Sequence, residues 1–138
     1  MKIKVKLDKG AYMPERAHQW DAGADIRTPE RVVVHPHSSE VIHTGVHVEI
    51  PEGYVGMIKS KSGLNVNYDL TSEGVIDSGF TGSIVCKIYN HGSQPHVFEQ
   101  GDKITQLVIM PIITPNFEQV DSLEETEREN SGFGSTGR

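Results

Sequence analysis

The feature that most constrains this chain is an apolar–polar alternation of period two, cut every few residues by glycine or proline. Ile3, Val5 and Leu7 alternate with Lys2, Lys4 and Lys6; Val46, Val48 and Ile50 alternate with His47 and Glu49. Successive side chains of a strand point to opposite faces, so these are half-buried strands. Ile104 to Met110 is apolar on both faces apart from Gln106 and reads as a buried strand, and Ile84 to Tyr89 as another. Pro51-Glu-Gly53 is expected to form a type I turn, and Glu99-Gln-Gly101-Asp a further turn. Most of the fourteen glycines sit at such breaks. No helical stripe exceeds about two turns, and Leu64 to Leu70 has room for a short helix at most. The expected fold class is all-β, built of short strands.

Composition bounds the rest. A chain of 138 residues fits one domain. Its apolar share of 36% is low for a self-sufficient core, which points to burial completed at a subunit interface. A formal charge of -6 lacks the basic footprint that direct nucleic-acid binding needs. No apolar run is long enough to span a membrane, and Met1 to Leu7 carries lysines where a signal peptide needs an apolar stretch. The single cysteine, Cys86, excludes an intramolecular disulfide and suits a reducing, cytoplasmic setting. It alternates with Ile84 and Ile88 and reads as a small buried hydrophobe. From Asp121 onward the chain turns acidic, then Gly- and Ser-rich, with Phe133 its only aromatic. The expected division is a β domain over 1–120 and a flexible C-terminal arm over 121–138.

Four polar or glycine-rich islands sit beside the strands: Ala22-Gly-Ala-Asp25-Ile, Lys59-Ser-Lys61-Ser62-Gly63-Leu, Gly74-Val-Ile76-Asp77-Ser-Gly-Phe80-Thr-Gly82 and Gly101-Asp-Lys-Ile-Thr-Gln106-Leu. Each has a mild structural reading. Asp25 and Asp77 can be turn formers, and Lys59 to Gly63 a solvated loop. Gln106 is harder to dismiss, because a buried amide without partners costs about 1–3 kcal/mol. Two carboxylates, a Ser/Gly/Lys nest and an amide, with an arginine and a Ser-Thr pair in the tail, are the parts of a phosphate site with a metal.

These islands, together with Arg128-Glu-Asn-Ser-Gly132-Phe133-Gly134-Ser135-Thr136-Gly137, resemble in order and spacing the five motifs of the trimeric dUTPase family. The resemblance implies a distorted jelly-roll (β-clip) that assembles as a homotrimer, with three active sites shared between chains. It implies magnesium-assisted hydrolysis of dUTP to dUMP and pyrophosphate, which keeps uracil out of DNA and supplies dUMP. Asp77 matches the carboxylate that activates water, and Phe80 the aromatic that packs against deoxyribose. The hairpin of Gly74, Ile76 and Gly82 matches the backbone that reads uracil. Lys61, Ser62, Gly63 and Gln106 match the phosphate region, and Asp25 a residue beside the water shell of the magnesium. Arg128, Gly134, Ser135 and Thr136 match arm contacts to the phosphates, with Phe133 stacked over the base.

The chain departs from the family pattern at several positions. Ser60-Lys61 stands for the usual Pro-Arg, Lys103 for arginine, Phe80 for tyrosine and Glu129-Asn-Ser131 for a mostly glycine stretch. The set reads as a divergent, phage- or bacterial-like variant. Lysine lacks the planar fork of arginine, so two of the swaps change the available geometry. The competing readings are a dCTP deaminase-like enzyme and a non-catalytic nucleotide-binding regulator on the same scaffold. A deaminase needs a glutamate on the strand after the hairpin, and no acid lies between Ser83 and Asn90. An intact Asp77 speaks for catalysis. His35 and His37 would share a strand face, but no cysteine or carboxylate joins them at metal-ligand spacing.

Overall fold

The computed structural model describes residues 1–134 and 136–137. The elements, in chain order, are β1 (Lys4–Leu7), β2 (Gly23–Arg27), β3 (Val32–Val34), β4 (Ser38–His43), β5 (Val46–Glu49), β6 (Tyr54–Lys59), α1 (Ser62–Tyr68), β7 (Leu70–Ile76), β8 (Val85–Asn90), β9 (His96–Phe98) and β10 (Lys103–Pro111). A six-stranded sheet runs β2-β10-β6-β7-β8-β4, and the pairs β1-β5 and β3-β9 flank it. Every pairing is antiparallel. This is the all-β fold expected from the alternation and the jelly-roll implied by the family resemblance.

β7 is the strand that turns the corner. Leu70–Ser72 pair with β8, while Glu73–Ile76 pair with β6. One strand thus passes between two layers whose inner faces enclose the core, a common device in β-sandwiches. The enclosed residues include Val46, Val48, Ile50, Ile84, Cys86, Ile88 and Ile104, packed around Phe98, whereas of the first alternation Ile3 and Val5 are only half-buried and Leu7 is exposed, as is Met110 at the far end of β10. Cys86 is sealed among them, and its burial pushes the thiol up to about 11. Polar atoms inside are paired: Ser72 and Thr105 hydroxyls lie 2.7 Å apart, and Asn90 Nδ2 donates to the Val34 and Gln94 carbonyls at 3.0 and 2.8 Å.

Three local expectations are corrected. Gly53 has φ +83, and Tyr54 N–H donates to the Pro51 carbonyl at 3.3 Å. Positive φ at the third turn position makes the turn type II rather than type I. The helix starts two residues earlier than expected and ends at Asp69, whose left-handed φ of 57 halts it before Leu70 opens β7. His35 and His37 lie in the connection between β3 and β4, with His37 at φ 55, so they share no strand face.

Candidate active site

Asp25, on β2, lies directly across from Gln106 of β10, which in turn lies across from Lys59 of β6; Lys59 faces Glu73 of β7. Cross-strand partners share a face, so one polar rung crosses four strands. Lys59 Nζ closes it on Glu73 Oε1 at 2.8 Å. Gln106 Nε2 donates to the Ser60 carbonyl at 2.9 Å, so the lone amide of the buried strand ties down the Lys59–Gly63 segment. Gly23 makes room for it: a Cβ there would fall 2.0 Å from Gln106 Oε1. The same segment is held by Thr105 Oγ1 donating to the Lys59 carbonyl at 2.9 Å and by Ser72 N–H donating to Ser60 Oγ at 2.9 Å.

Lys61 leaves this anchored segment to pair with Asp25 Oδ1, and Lys103 Nζ takes Oδ2 at 3.0 Å. Asp25 is buried, which pushes its carboxyl up, but the hydrogen bonds from Lys61 and Lys103 overcome this and hold it below 3.8. Two cations on one carboxylate leave a local positive charge in an acidic chain, which suits a triphosphate. Ser62 and Gly63, which follow Lys61, open α1 beside this charge. In the sequence Lys103 stands out only as a departure from the family pattern. The signal that places it in the site is a strand irregularity between Lys103 and Thr105.

The second half of the site is the connection from β7 to β8. Phe80 N–H donates to the Asp77 carbonyl at 3.2 Å, closing a tight turn with Gly79 at φ +85. Asp77 stands exposed at its start, just past buried Ile76. The tip of the Phe80 ring reaches back to Gly82, where an added Cβ would meet Cζ at 2.7 Å, so a side chain at 82 would displace the ring. Gly74, four residues before the tip on the same hairpin limb as Ile76, packs against Ile58.

These two halves do not meet within one chain. Ser60 lies beside Ser72, and Asp77 is five residues further along, about 16 Å away at the strand rise. The arm joins neither. Past Ile112, every hydrogen bond among the described residues is internal, such as Arg128 Nε to the Ser131 carbonyl at 2.9 Å. Arg128, Gly132 and Thr136 line a hollow of the arm itself, Gly134 adopts φ +76, and Phe133 is fully exposed. Ser135 lies outside the described residues.

The family model for dUTPase matches residues 9–137, which includes all five motif segments. The chain belongs to the dUTPase family. A deoxyuridine 5'-triphosphate nucleotidohydrolase of Tropheryma whipplei (strain Twist) is 41% identical, covering 100% of this chain and 97% of that protein. One from Clostridium tetani is 39% identical over 99% of this chain and 97% of its own length. Among solved structures, a mutant dUTPase of Staphylococcus bacteriophage 80alpha with dUpNHpp superposes with a TM-score of 0.92, at 37% identity and 99% coverage of both chains. A mutant dUTPase from phage phi11 of S. aureus, described with a structural Mg(II) ion, gives 0.84 at 35% identity over 91% of this chain and all of that one. A dUTPase uses magnesium. The described residues hold no cluster of three metal-binding side chains. Asp25 is the carboxylate that the lysine cluster offers, and a single protein oxygen donor of this kind fits a cation whose remaining ligands are triphosphate oxygens and water. Among the described residues no helix is long and apolar enough to cross a membrane.

Proposed function

We propose that this chain hydrolyses dUTP to dUMP and pyrophosphate in the cytoplasm, at three sites each assembled from different copies of a homotrimer. The observation that carries this reading is the distance along β7 between the Asp77–Phe80 hairpin, past its C-terminal end, and the Lys61–Asp25–Lys103 cluster, whose segment is anchored at Ser72. One copy then offers its hairpin to base, sugar and attacking water, while another offers the lysine cluster to the phosphates. The exposed Ile113 and Phe117, ahead of an arm whose described residues bond only to one another, suit an arm that crosses to a third copy.

In that assembly Asp77 takes the proton of the water that attacks the α-phosphorus, which requires hydrogen-bond reach rather than burial. Phe80 walls off the 2′ position of the sugar. Backbone groups of Gly74, Ile76 and Gly82 read uracil, because a buried mismatch leaves polar atoms unpaired. Lys61, Ser62 and Gly63 meet the phosphates, with Gln106 holding that segment in place through the Ser60 carbonyl. Arg128, Gly134, Ser135 and Thr136 clamp the outer phosphates while Phe133 covers the base. A magnesium ion bound with the triphosphate would supply neutralisation of the charge on its oxygens. Asp25 is the residue that would touch its water shell, sharing its two oxygens with Lys61 and Lys103.

The test is pyrophosphate release from dUTP, the four common deoxynucleotides and UTP with magnesium, alongside light scattering. Strong preference for dUTP and a mass of three times 15.2 kDa are expected. Equal turnover of UTP would remove the sugar wall from the mechanism. Ammonia from dCTP would favour the deaminase, and tight dUTP binding without turnover the regulator. An active monomer would overturn the shared site.

A further inference from the structure

His47 sits outside every motif, yet it touches the hairpin that carries Asp77 and Phe80. Its Nδ1 lies 2.8 Å from the Thr81 carbonyl, and its Nε2 lies 3.0 Å from Asp8 Oδ1 in the loop after β1. The returning limb of the hairpin is also held at Ser83, whose Oγ accepts from Gly45 N–H at 3.1 Å. His47 is thus the side-chain tie closest to the tip. Both of its partners are acceptors only. A neutral imidazole has one N–H and can satisfy one of them, whereas the doubly protonated ring satisfies both.

We propose that His47 is a positioning residue for the substrate hairpin, its imidazolium tying Thr81 to Asp8 and thereby setting how dUTP affinity varies with pH. The proposal rests on the dUTPase reading of the hairpin. The groups that face the ring are the Thr81 carbonyl from the hairpin, the Asp8 carboxylate from the β1–β2 loop and Lys6, its cross-strand partner on β1. Lys4 and Glu49 border the same depression and pair with each other at 3.4 Å. The Thr81 carbonyl, then Asp8, raise the His47 pKa above 6.5 against the smaller opposing effects of burial and Lys6. A raised value means the tie is complete below 6.5 and is lost as pH climbs through the raised value.

The experiment measures binding of dUpNHpp to the intact oligomer from below pH 6.5 to well above it, for the natural chain and His47→Gln. Glutamine cannot titrate, and changes in the nucleotide's own ionisation cancel in the ratio of the two affinities. The ratio should be about tenfold in acid, the size of one charge-assisted hydrogen bond, and approach one in base. Asp8→Asn, which leaves the ring in place, should move that transition to lower pH. Proton NMR of the His47 ring should show its pKa rising further when dUpNHpp binds, as linkage requires. A ratio that does not change with pH, or a His47 titration indifferent to dUpNHpp, overturns the proposal. Failure of the natural chain to bind dUpNHpp at all would instead overturn the dUTPase reading of the hairpin.

Discussion

Lys103 Nζ lies 3.0 Å from Oδ2 of Asp25, and Lys61 occupies the other oxygen of the same carboxylate. An arginine at either position could grip both oxygens with its planar fork, whereas an ammonium is a point donor. The chain places one lysine on each oxygen, which explains how both family positions can tolerate the change together.

Asp25→Ala should destabilise the fold by about 1–3 kcal/mol, the cost of stripping partners from charged groups. The upper part of that range is not expected, because the Lys61 and Lys103 side chains keep 26% and 39% of their exposure and can turn to water. The pH dependence follows from the depressed Asp25 pKa. Its contribution is full above 3.8 and is lost as pH falls through the lowered value. Urea midpoints of the natural chain and Asp25→Asn should differ by a constant amount above that point and converge only in acid. Convergence near neutrality would mean that the pair contributes nothing.

Asp77→Asn keeps the shape of the turn, since the turn is closed by the Asp77 carbonyl rather than its side chain. It removes the base, so kcat should fall by about 10²-fold or more. KM should stay within a few-fold. Wild-type turnover in steady-state kinetics would leave Asp77 a turn residue and nothing else.

Gly82→Ala should act on sugar selectivity through Phe80. The new methyl would occupy the place of the Phe80 ring, with Cζ only 2.7 Å away, so the ring must lift. The ratio of kcat/KM for dUTP over UTP should drop for both Gly82→Ala and Phe80→Ala. If Phe80→Ala loses discrimination while Gly82→Ala keeps it, the ring is held by something other than its seat on Gly82.

Deleting 130–138 should leave fold and assembly intact, because the described arm residues bond only to one another. Turnover should collapse, as water is no longer excluded and the outer phosphates lose their clamp. Phe133→Ala should give a milder loss, stacking being worth about 1–3 kcal/mol per base. Circular dichroism and size-exclusion chromatography are the controls. Near-normal turnover in a folded truncation would make the tail a frayed end.

Much of the candidate site is legible because it is written in short, ordered segments whose residue types are costly to explain otherwise. Gln106 stood out as an amide in an apolar strand, and it indeed spends its donor on the Ser60 carbonyl. Gly82 reads from sequence as a shoulder of the hairpin, but its reason, the tip of the Phe80 ring in the space a Cβ would need, takes coordinates to see. His47 was legible only as the polar half of an alternation. Nothing in its neighbours along the chain announces Thr81 and Asp8, each more than thirty positions away.

The sequence by itself determined the strands, through side-chain alternation, and the burial of Cys86 among them. It also determined which residue types were available for phosphate chemistry. What it could not determine is which of them share a face. Lys103 and Gln106 are three residues apart, and in a regular strand an odd spacing sends two side chains to opposite faces. The register shift between Lys103 and Thr105 inserts an extra residue and reverses that parity. Lys103 then faces Arg27 and Gln106 faces Asp25, all on one side of the sheet, while Ile104 and Thr105 are both buried. A bulge is set by how β10 meets β2, a contact between segments some eighty residues apart. Tertiary structure alone therefore decided that Lys103 would hold the carboxylate at the centre of the site.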